Sequence, residues 1–274
     1  MQSQINPTPE EIEHQRWNRA TLDQACHQFQ EHGALVLRGA YSEAHLSVAR
    51  QAVRRRATDD LHATQAKRVG NRRMMLSLPI EYPFNAPHLY ANPLVLRILT
   101  RLLGESFVLN SFGAVIAEPG ARAQHVHLDH PQLFDDDQHS NDLPAYAVTV
   151  LLPLVSMSRE TGTTRVWEGS HRLPEDQALS QGASHVSSSL GDCLLMDYRV
   201  WHGGTEVRQT EDRPVLYFVY SRPWFRDYVN FPANYQIEIG QQDLKQVPLD
   251  LQHLFALAAL KSEYAYESGN AQWT

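Results

Sequence analysis

Apolar residues in the first third of the chain recur at the spacing of amphipathic helices. Thr8, followed by Pro9 and then by Glu11, forms a capping box with proline in the first turn and predicts a helix start. Farther along, one apolar helical face continues until Gly33, a residue type that commonly ends helices. That face consists of Leu22, Ala25, Cys26 and Phe29.

Two more helices and a strand are predicted before the middle of the chain. Ser42 is placed to cap a helix over residues 43–57, and Asn92 with Pro93 begins a helix that Gly104 stops. The apolar run Ala34–Leu37 predicts a short buried strand. Residues 58–73 are polar and have no period, which predicts a partly mobile loop.

The character of the chain changes near Phe107, where short apolar runs begin to alternate with Gly and Pro turns. The predicted strands are residues 107–117, 124–128, 146–155, 163–167, 192–197 and 214–220. Helices followed by a series of short strands are typical of a β-sandwich or jelly roll with helices covering one sheet. We therefore expect a mostly β fold with helical cover.

A chain of 274 residues suits one large domain, since barrels and sandwiches often exceed about 200 residues undivided. We expect N-terminal helices over about residues 8–104, a β core over about 105–225 and a C-terminal extension over 226–274. Apolar residues that form a helix-like run near the end of the extension are expected to pack on the core or on a second subunit, so a homodimer is an open alternative. They are Leu251, Leu254, Phe255, Ala258 and Ala259.

The charge balance argues against nucleic acid as a partner. The formal net charge is −7, and phosphate backbones repel an acidic protein. One basic run, at residues 54–56, lies inside a predicted helix and is interpreted as a solvated face.

Cysteine usage and the N-terminus bear on the compartment. Cys26 and Cys193 are interpreted as two packed thiols of a reducing cell rather than as a disulfide. The N-terminus lacks the basic start and apolar core of a signal peptide, and no apolar run reaches the length of a membrane span. We therefore expect a cytoplasmic protein with no membrane partner.

The candidate chemistry centres on residues 124–130, which contain His127 and Asp129 two positions apart. On an extended strand, side chains at i and i+2 point to the same face. This imidazole and this carboxylate would supply two ligands of a facial metal triad, and His202 is the best candidate for the third. Two histidines and one carboxylate leave three positions open, an arrangement that suits non-haem Fe(II) oxygenases.

The open positions of such a site would accept a bidentate 2-oxo acid and O2. A 2-oxo acid with a distal carboxylate also needs a cationic partner at its far end. Arg213 follows His202 in the chain and opens an apolar strand. Its guanidinium has the fork geometry that binds a carboxylate through two parallel hydrogen bonds.

In this order and spacing, these pieces resemble the phytanoyl-CoA dioxygenase family of Fe(II)- and 2-oxoglutarate-dependent oxygenases. The resemblance rests on His127-x-Asp129, on residues 162–172, on His202 and on Arg213, and it covers roughly residues 33–225. It implies a double-stranded β-helix core, the cupin-like form of the jelly roll. It also implies Fe(II) and 2-oxoglutarate as cofactors, with O2 as co-substrate.

The resemblance implies further residues at the 2-oxoglutarate site. Gln124 and Thr164 match family positions that contact 2-oxoglutarate. A basic residue well upstream also reaches the oxo acid in relatives, and we assign Arg72 to this role with Arg73 as a close rival. The alternatives are hydrogen bonds within the sheet for Gln124 and Thr164, a surface position for Arg72 and a structural salt bridge for Arg213.

We therefore expect a dioxygenase that hydroxylates an unactivated C–H bond of a small organic molecule, with succinate and CO2 as co-products. Desaturation, epoxidation or rearrangement would use the same ligands. A non-catalytic metal-binding β-sandwich and a zinc hydrolase with the same triad are alternatives from other classes. Asp129 argues against halogenation, because the related halogenases carry Gly or Ala at that position.

The substrate is the least predictable part. Its contacts are expected from residues 58–73, from the tail and from residues 131–144, an acidic segment interpreted as a solvated loop or as a lid. Four residues are candidates for an apolar pocket, although each also suits the core. They are Leu76, Phe134, Tyr198 and Trp224.

Overall fold

Two facing β-sheets with a layer of helices form the molecule, as seen in a computed structural model that describes residues 3–59, 66–134, 137–230 and 237–261. Parts of three predicted segments, at residues 60–65, 135–136 and 262–274, lie outside the described residues. Among the described residues, no helix combines the length and the apolar character needed to cross a bilayer.

The large sheet has eight strands, and its neighbours are antiparallel except for the first pair, which is parallel. In spatial order it contains β1 (Gln4–Ile5), β2 (Ala34–Leu37), β9 (Cys193–Asp197), β6 (Ala147–Pro153), β11 (Arg213–Ser221), β5 (Val108–Ala117), β4 (Arg73–Ser77) and β3 (Lys67–Arg68). The small antiparallel sheet contains β10 (His202–Gly204), β7 (Thr164–Val166) and β8 (Ser184–Val186). A separate parallel pair joins β12 (Glu238–Gly240) to β13 (Ala259–Lys261).

The helices lie mostly before the core strands in sequence. They are α1 (Pro9–His14), α2 (Arg19–His32), α3 (Glu43–Thr58), α4 (Pro87–Tyr90), α5 (Pro93–Leu103), α6 (Asp137–Asp142), α7 (Glu175–Ser180) and α8 (Gln241–Gln246). The predicted capping box at Thr8 is confirmed: its hydroxyl accepts from the Glu11 N–H at 3.2 Å, and the Glu11 carboxylate accepts from the Thr8 N–H at 2.8 Å. Asn92 caps α5, whereas Ser42 precedes α3 without a side-chain cap bond.

The central strand β11 separates two compartments, and all nine of its residues are buried. Leu216, Phe218 and Tyr220 belong to the main core between the large sheet and the helices. Val215, Tyr217 and Val219 point to the other face and line a cavity between the sheets. This alternation follows from the two-residue period of a strand. Each fully buried Leu or Phe side chain contributes about 1.5–3 kcal/mol of hydrophobic stabilisation, so the helical layer holds this sheet firmly in place.

Two predicted elements differ from the structure. Residues 124–128 do not form a strand; His127 makes only a single antiparallel bridge with His202. On its other side β10 pairs with β7 over all three of its residues, and residues 124–128 add to the bridge one main-chain bond from the Gln124 N–H to the Gly204 carbonyl, at 2.8 Å. The helical run predicted in the extension is a 3-10 segment, Leu249–Phe255, which buries Leu254 and Phe255 in the main core.

Candidate metal centre

Three side chains from distant parts of the chain converge at one point. His127, Asp129 and His202 each offer a ligand atom, and these atoms lie within 4.8 Å of one another. Asp129 Oδ1 is 3.5 Å from His202 Nε2. The bridge between the two histidines holds them together, because each main-chain N–H donates to the other residue's carbonyl at 2.9–3.0 Å. The i and i+2 positions of His127 and Asp129 therefore share one side, as the sequence predicts.

Each histidine ring is oriented by a hydrogen bond between its Nδ1 and the main-chain carbonyl two residues earlier. His127 Nδ1 lies 2.9 Å from the His125 carbonyl oxygen, and His202 Nδ1 lies 3.0 Å from that of Val200. A carbonyl only accepts, so each Nδ1 carries the proton and each Nε2 keeps its lone pair for a metal. Burial, and then the nearby His202, lower the pKa of His127, which favours the neutral form that binds metals.

A pair of buried arginines, Arg73 and Arg213, lies near the triad, and Arg213 lines the same cavity. In the large sheet, Arg73 and Arg213 both pair with Ala117 and flank it from β4 and β11. Both residues are almost fully buried, at 0% and 4% exposure. Burial lowers the pKa of Arg73 to about 10, and burial together with the charge of Arg73 lowers the pKa of Arg213 to about 9. Among the described residues, no carboxylate acts on the pKa of either arginine.

The hydrogen bonds of the two guanidiniums are incomplete. Arg213 Nη1 donates to the Thr163 carbonyl at 3.1 Å, and Arg73 Nη2 donates to the carbonyls of Arg122 and Thr205. Among the described residues, no partner is found for Nε of either arginine or for Nη1 of Arg73. Buried donors without a partner are costly, so these groups are suited to receive an anionic ligand.

Gly204 leaves open the space where these groups meet. A Cβ atom at this position would lie 2.7 Å from Gln124 Oε1, 3.0 Å from Arg73 Nη1 and 3.3 Å from Arg213 Nη2. The Gly204 N–H donates to Gln124 Oε1 at 2.9 Å. A residue without a side chain is therefore required where a ligand carboxylate would approach both guanidiniums.

Two residues named from the resemblance line the same cavity. Thr164 is buried in β7 and faces the cavity. Gln124 also faces it, but its side-chain amide is bound to the protein at both ends, to Gly204 N–H and, at 3.1 Å, to the Val69 carbonyl. For Gln124, the hydrogen bond within the fold is therefore present, and contact with a ligand remains a prediction.

The structure separates the two candidate upstream arginines by burial. Neither is among the described residues that line the cavity, so contact of either with 2-oxoglutarate remains a prediction. The Arg72 side chain is 55% exposed and lies 3.6 Å from Glu118. Arg73 is the buried one instead. Arg72 adopts a left-handed φ of 53° just before β4, and the first residue of the strand then points inward. Neighbouring residues of an extended chain face opposite ways, so a shift of one position decides which arginine is buried.

The cavity that joins the triad to Arg213 has a volume of about 190 Å³. Most of its wall is apolar, and much of that wall comes from the large sheet. The apolar members are Val69, Met75, Val115, Leu128, Leu151, Met196, Val215 and Val219, joined by the aromatic residues Tyr198 and Tyr217. Of the four proposed pocket residues, Tyr198 lines the cavity, Leu76 is in the main core, and Phe134 and Trp224 are exposed.

Sequence reasoning missed Thr149, Asn230 and Lys67, which also line the cavity. Thr149 lies two positions before Leu151 on β6, so the parity of that strand was a usable signal for it. Asn230 belongs to the extension, where no periodic pattern marks a side chain that faces the core.

Comparisons with known proteins agree with this geometry. The phytanoyl-CoA dioxygenase family matches residues 29–215. A dioxygenase of Aspergillus fumigatus, af480, is 30% identical over 155 residues, which is 55% of this chain and 49% of that protein. The match thus spans about half the length of this relative. The iron/alpha-ketoglutarate-dependent dioxygenase okaE of Penicillium ochrochloron is 31% identical over 102 residues, which is 37% of this chain and 34% of the relative.

Solved structures share the fold. The epimerase SnoN from nogalamycin biosynthesis, crystallised with Fe3+, alpha-ketoglutarate and nogalamycin RO, is 15% identical and superimposes with a TM-score of 0.61. The likeness covers 75% of this chain and 85% of SnoN. It confirms the predicted jelly-roll core with helical cover.

The donor set and the arginine pair both fit the cofactors that the family implies. Two neutral imidazoles and a carboxylate are ligands for ferrous iron, and partnerless guanidinium donors suit a dicarboxylate. The match over residues 29–215 covers more than half of the chain. The chain therefore belongs to the phytanoyl-CoA dioxygenase family and is a non-haem iron dioxygenase that depends on 2-oxoglutarate.

Proposed function

We propose that this enzyme oxidises an unactivated C–H bond of a small organic molecule, by hydroxylation, with succinate and CO2 as co-products. The observation that carries the proposal is one cavity that joins a His-Asp-His triad to the buried Arg213. Arg73 lies beside Arg213 across Ala117, and among the described residues no carboxylate acts on the pKa of either arginine. When bound, ferrous iron and 2-oxoglutarate supply the activation of O2 and the electrons for it.

The triad residues would hold the metal on one side only. His127 and His202 present Nε2, because their Nδ1 protons are given to main-chain carbonyls. Asp129 presents a carboxylate oxygen on the same side. Three ligands from the protein would leave coordination positions for a 2-oxo acid and for O2.

Arg213 and Arg73 would bind the distal carboxylate of 2-oxoglutarate at Gly204. Two guanidiniums supply both charge and several N–H donors, and their burial strengthens the attraction, because water screens it little. Thr164, on β7 of the small sheet, lines the cavity, and its hydroxyl would contact the same ligand. We assign Gln124 the role of supporting Gly204 while forming part of the wall.

The remaining wall would hold the substrate and exclude water. Met75, Leu151 and Met196 belong to the apolar lining contributed by the large sheet. An apolar wall presents a C–H bond to the metal without competing hydrogen bonds and keeps bulk water from the reacting face. We take the substrate to be a small organic molecule, as nogalamycin RO is for SnoN.

A purely structural metal site would not account for the arginine pair. A zinc hydrolase or a metal-stabilised β-sandwich needs the triad but has no use for two buried cations on whose pKa no carboxylate of the described residues acts. Binding of the dicarboxylate therefore separates these classes.

The test begins with metal-free enzyme under anaerobic conditions. Calorimetry with 2-oxoglutarate in the presence of Mn(II) should show binding that depends on the metal and on Arg213. Addition of Fe(II), 2-oxoglutarate and O2 with a panel of candidate substrates should then release succinate. The products distinguish hydroxylation from desaturation, epoxidation or rearrangement. Zn(II)-dependent hydrolysis without 2-oxoglutarate binding would overturn the proposal.

A further inference from the structure

Asp129 is the triad member that offers two chemically equivalent donor atoms. A carboxylate binds a metal through one oxygen or through both, and the second mode takes an additional coordination position. The structure gives the two oxygens different surroundings. Oδ1 lies 3.5 Å from His202 Nε2, whereas Oδ2 accepts a hydrogen bond of 2.7 Å from Thr149 Oγ1.

Thr149 is held rigidly for this role. It lies within β6, paired with Val219 of β11 on one side and Met196 of β9 on the other. The residue is 5% exposed, and its side chain faces the cavity. A carboxylate oxygen only accepts, so the hydroxyl proton must point to Oδ2. A hydroxyl fixed at the centre of a sheet therefore engages one chosen oxygen of Asp129.

A second contact holds the main chain of the same ligand. The side-chain amide of Asn230 donates to the Asp129 carbonyl and, at 2.9 Å, to Asp227 Oδ2. Asp227 is 2% exposed, and its other oxygen accepts from the Asn230 main-chain N–H at 2.8 Å. Tyr198 donates to Asp227 at 2.9 Å. The extension after the last core strand is thus fastened to the metal-binding segment.

We propose that Thr149 and Asn230 are positioning residues that hold Asp129 as a one-oxygen ligand. Thr149 engages Oδ2 and so keeps it off the metal, while Asn230 fixes the main chain from which the carboxylate extends. The inference rests on the proposed function, since it concerns the positions left for co-substrates. A facial triad leaves three open positions, of which 2-oxoglutarate takes two, and a second carboxylate oxygen would take the last.

The experiment compares Thr149→Val with Thr149→Ser. Valine has nearly the same shape without the hydroxyl, and serine keeps the hydroxyl without the methyl group. Each protein is loaded anaerobically with Fe(II) and 2-oxoglutarate and titrated with nitric oxide, which stands in for O2 and binds only where a position is open. The electron paramagnetic resonance signal of the iron–nitric oxide adduct reports the occupied fraction.

Wild type and Thr149→Ser should bind nitric oxide with similar affinity. Thr149→Val should bind it about tenfold more weakly, the size expected for the loss of a hydrogen bond to a charged group. Its affinity for Mn(II) alone should be retained or increased, because both carboxylate oxygens become available to the metal. A merely structural role for Thr149 would weaken metal binding and leave nitric oxide affinity on the loaded enzyme unchanged.

Asn230→Ala provides a second measurement, and this substitution leaves the interior of the large sheet unchanged. This variant should lower Mn(II) affinity several-fold, because the Asp129 main chain loses its support. Equal nitric oxide affinity in Thr149→Val and wild type, or unchanged Mn(II) affinity in Asn230→Ala, would overturn the corresponding assignment. Failure of wild type itself to bind 2-oxoglutarate would instead contradict the proposed function, so the two failures are distinguishable.

Discussion

The two ends of the cavity differ in how their polar atoms are partnered. At the triad, the imidazole Nδ1 atoms and Asp129 Oδ2 all have hydrogen-bond partners within the protein. At the arginine pair, three nitrogen atoms of Arg73 and Arg213 have none among the described residues. The triad end is oriented in advance, as a small cation requires, whereas the arginine end would be completed by an anion that binds and leaves.

This difference follows from what each end has to hold. A resident metal ion needs rigid ligands of the correct tautomer, which the fold can supply permanently. In the proposed reaction the co-substrate would leave after each turnover as succinate, so its site would be built from groups that the protein itself leaves partly unsatisfied. The cost is two buried positive charges, which destabilise the ligand-free enzyme.

The largest effect is expected at the triad. His127→Ala and Asp129→Ala should each abolish Fe(II) binding and turnover, because two ligands do not retain the ion. His125→Ala is the matched control, since its exposed ring is not a ligand and only its main-chain carbonyl orients His127. Metal content by atomic absorption and succinate release measure the outcome. Full iron occupancy in His127→Ala would remove this residue from the triad.

The next effect is expected at Arg213. Arg213→Ala should weaken 2-oxoglutarate binding by roughly 10²–10³-fold, since removal of one partner of a buried charge pair costs about 3–5 kcal/mol. Mn(II) affinity should stay unchanged. Arg213→Lys keeps the charge but lacks the fork, and should be intermediate. Calorimetric titration provides the comparison, and equal affinity in Arg213→Ala and wild type would show that the distal carboxylate binds elsewhere.

Arg72 and Arg73 provide a matched pair of neighbouring arginines. Arg73→Ala should weaken 2-oxoglutarate binding by about tenfold or more and raise the melting temperature of the ligand-free enzyme, because an uncompensated buried charge is removed. Arg72→Ala should change neither quantity by much, since an exposed ion pair contributes about 0–1 kcal/mol. Loss of affinity in Arg72→Ala with none in Arg73→Ala would reverse the assignment.

The smallest effect is expected at Gly204. Gly204→Ala adds a Cβ atom within 3.3 Å of both guanidiniums and of Gln124 Oε1, so 2-oxoglutarate affinity should fall by about tenfold while metal binding is retained. Gly182→Ala is the control, because a Cβ at that position meets no atom within 4 Å. A co-substrate affinity equal to that of wild type would place the distal carboxylate away from Gly204.

Local chemistry explains why much of this arrangement was predictable. The capping sequences at Thr8 and Asn92, the alternation of β11 and the His127-x-Asp129 spacing act over a few residues, where strand and helix periods decide which side chains share a face. The chemistry of a facial triad and of a 2-oxo acid selected His202 and Arg213, and the family resemblance supported them as members of one site. The structure brings these residues to one cavity.

The amino-acid sequence therefore determined the types of the ligands, the side on which they lie and the order of the strands along the chain, because these depend on short-range periodicity. The register of the strands and the long-range packing of the chain decided the other contacts of the site. Register in the large sheet buries Arg73 rather than Arg72 and sets it beside Arg213 across Ala117. Tertiary packing alone brings Thr149 and Asn230 to Asp129. Those contacts join positions far apart in the chain, and no local pattern records how a strand is paired or where an extension returns.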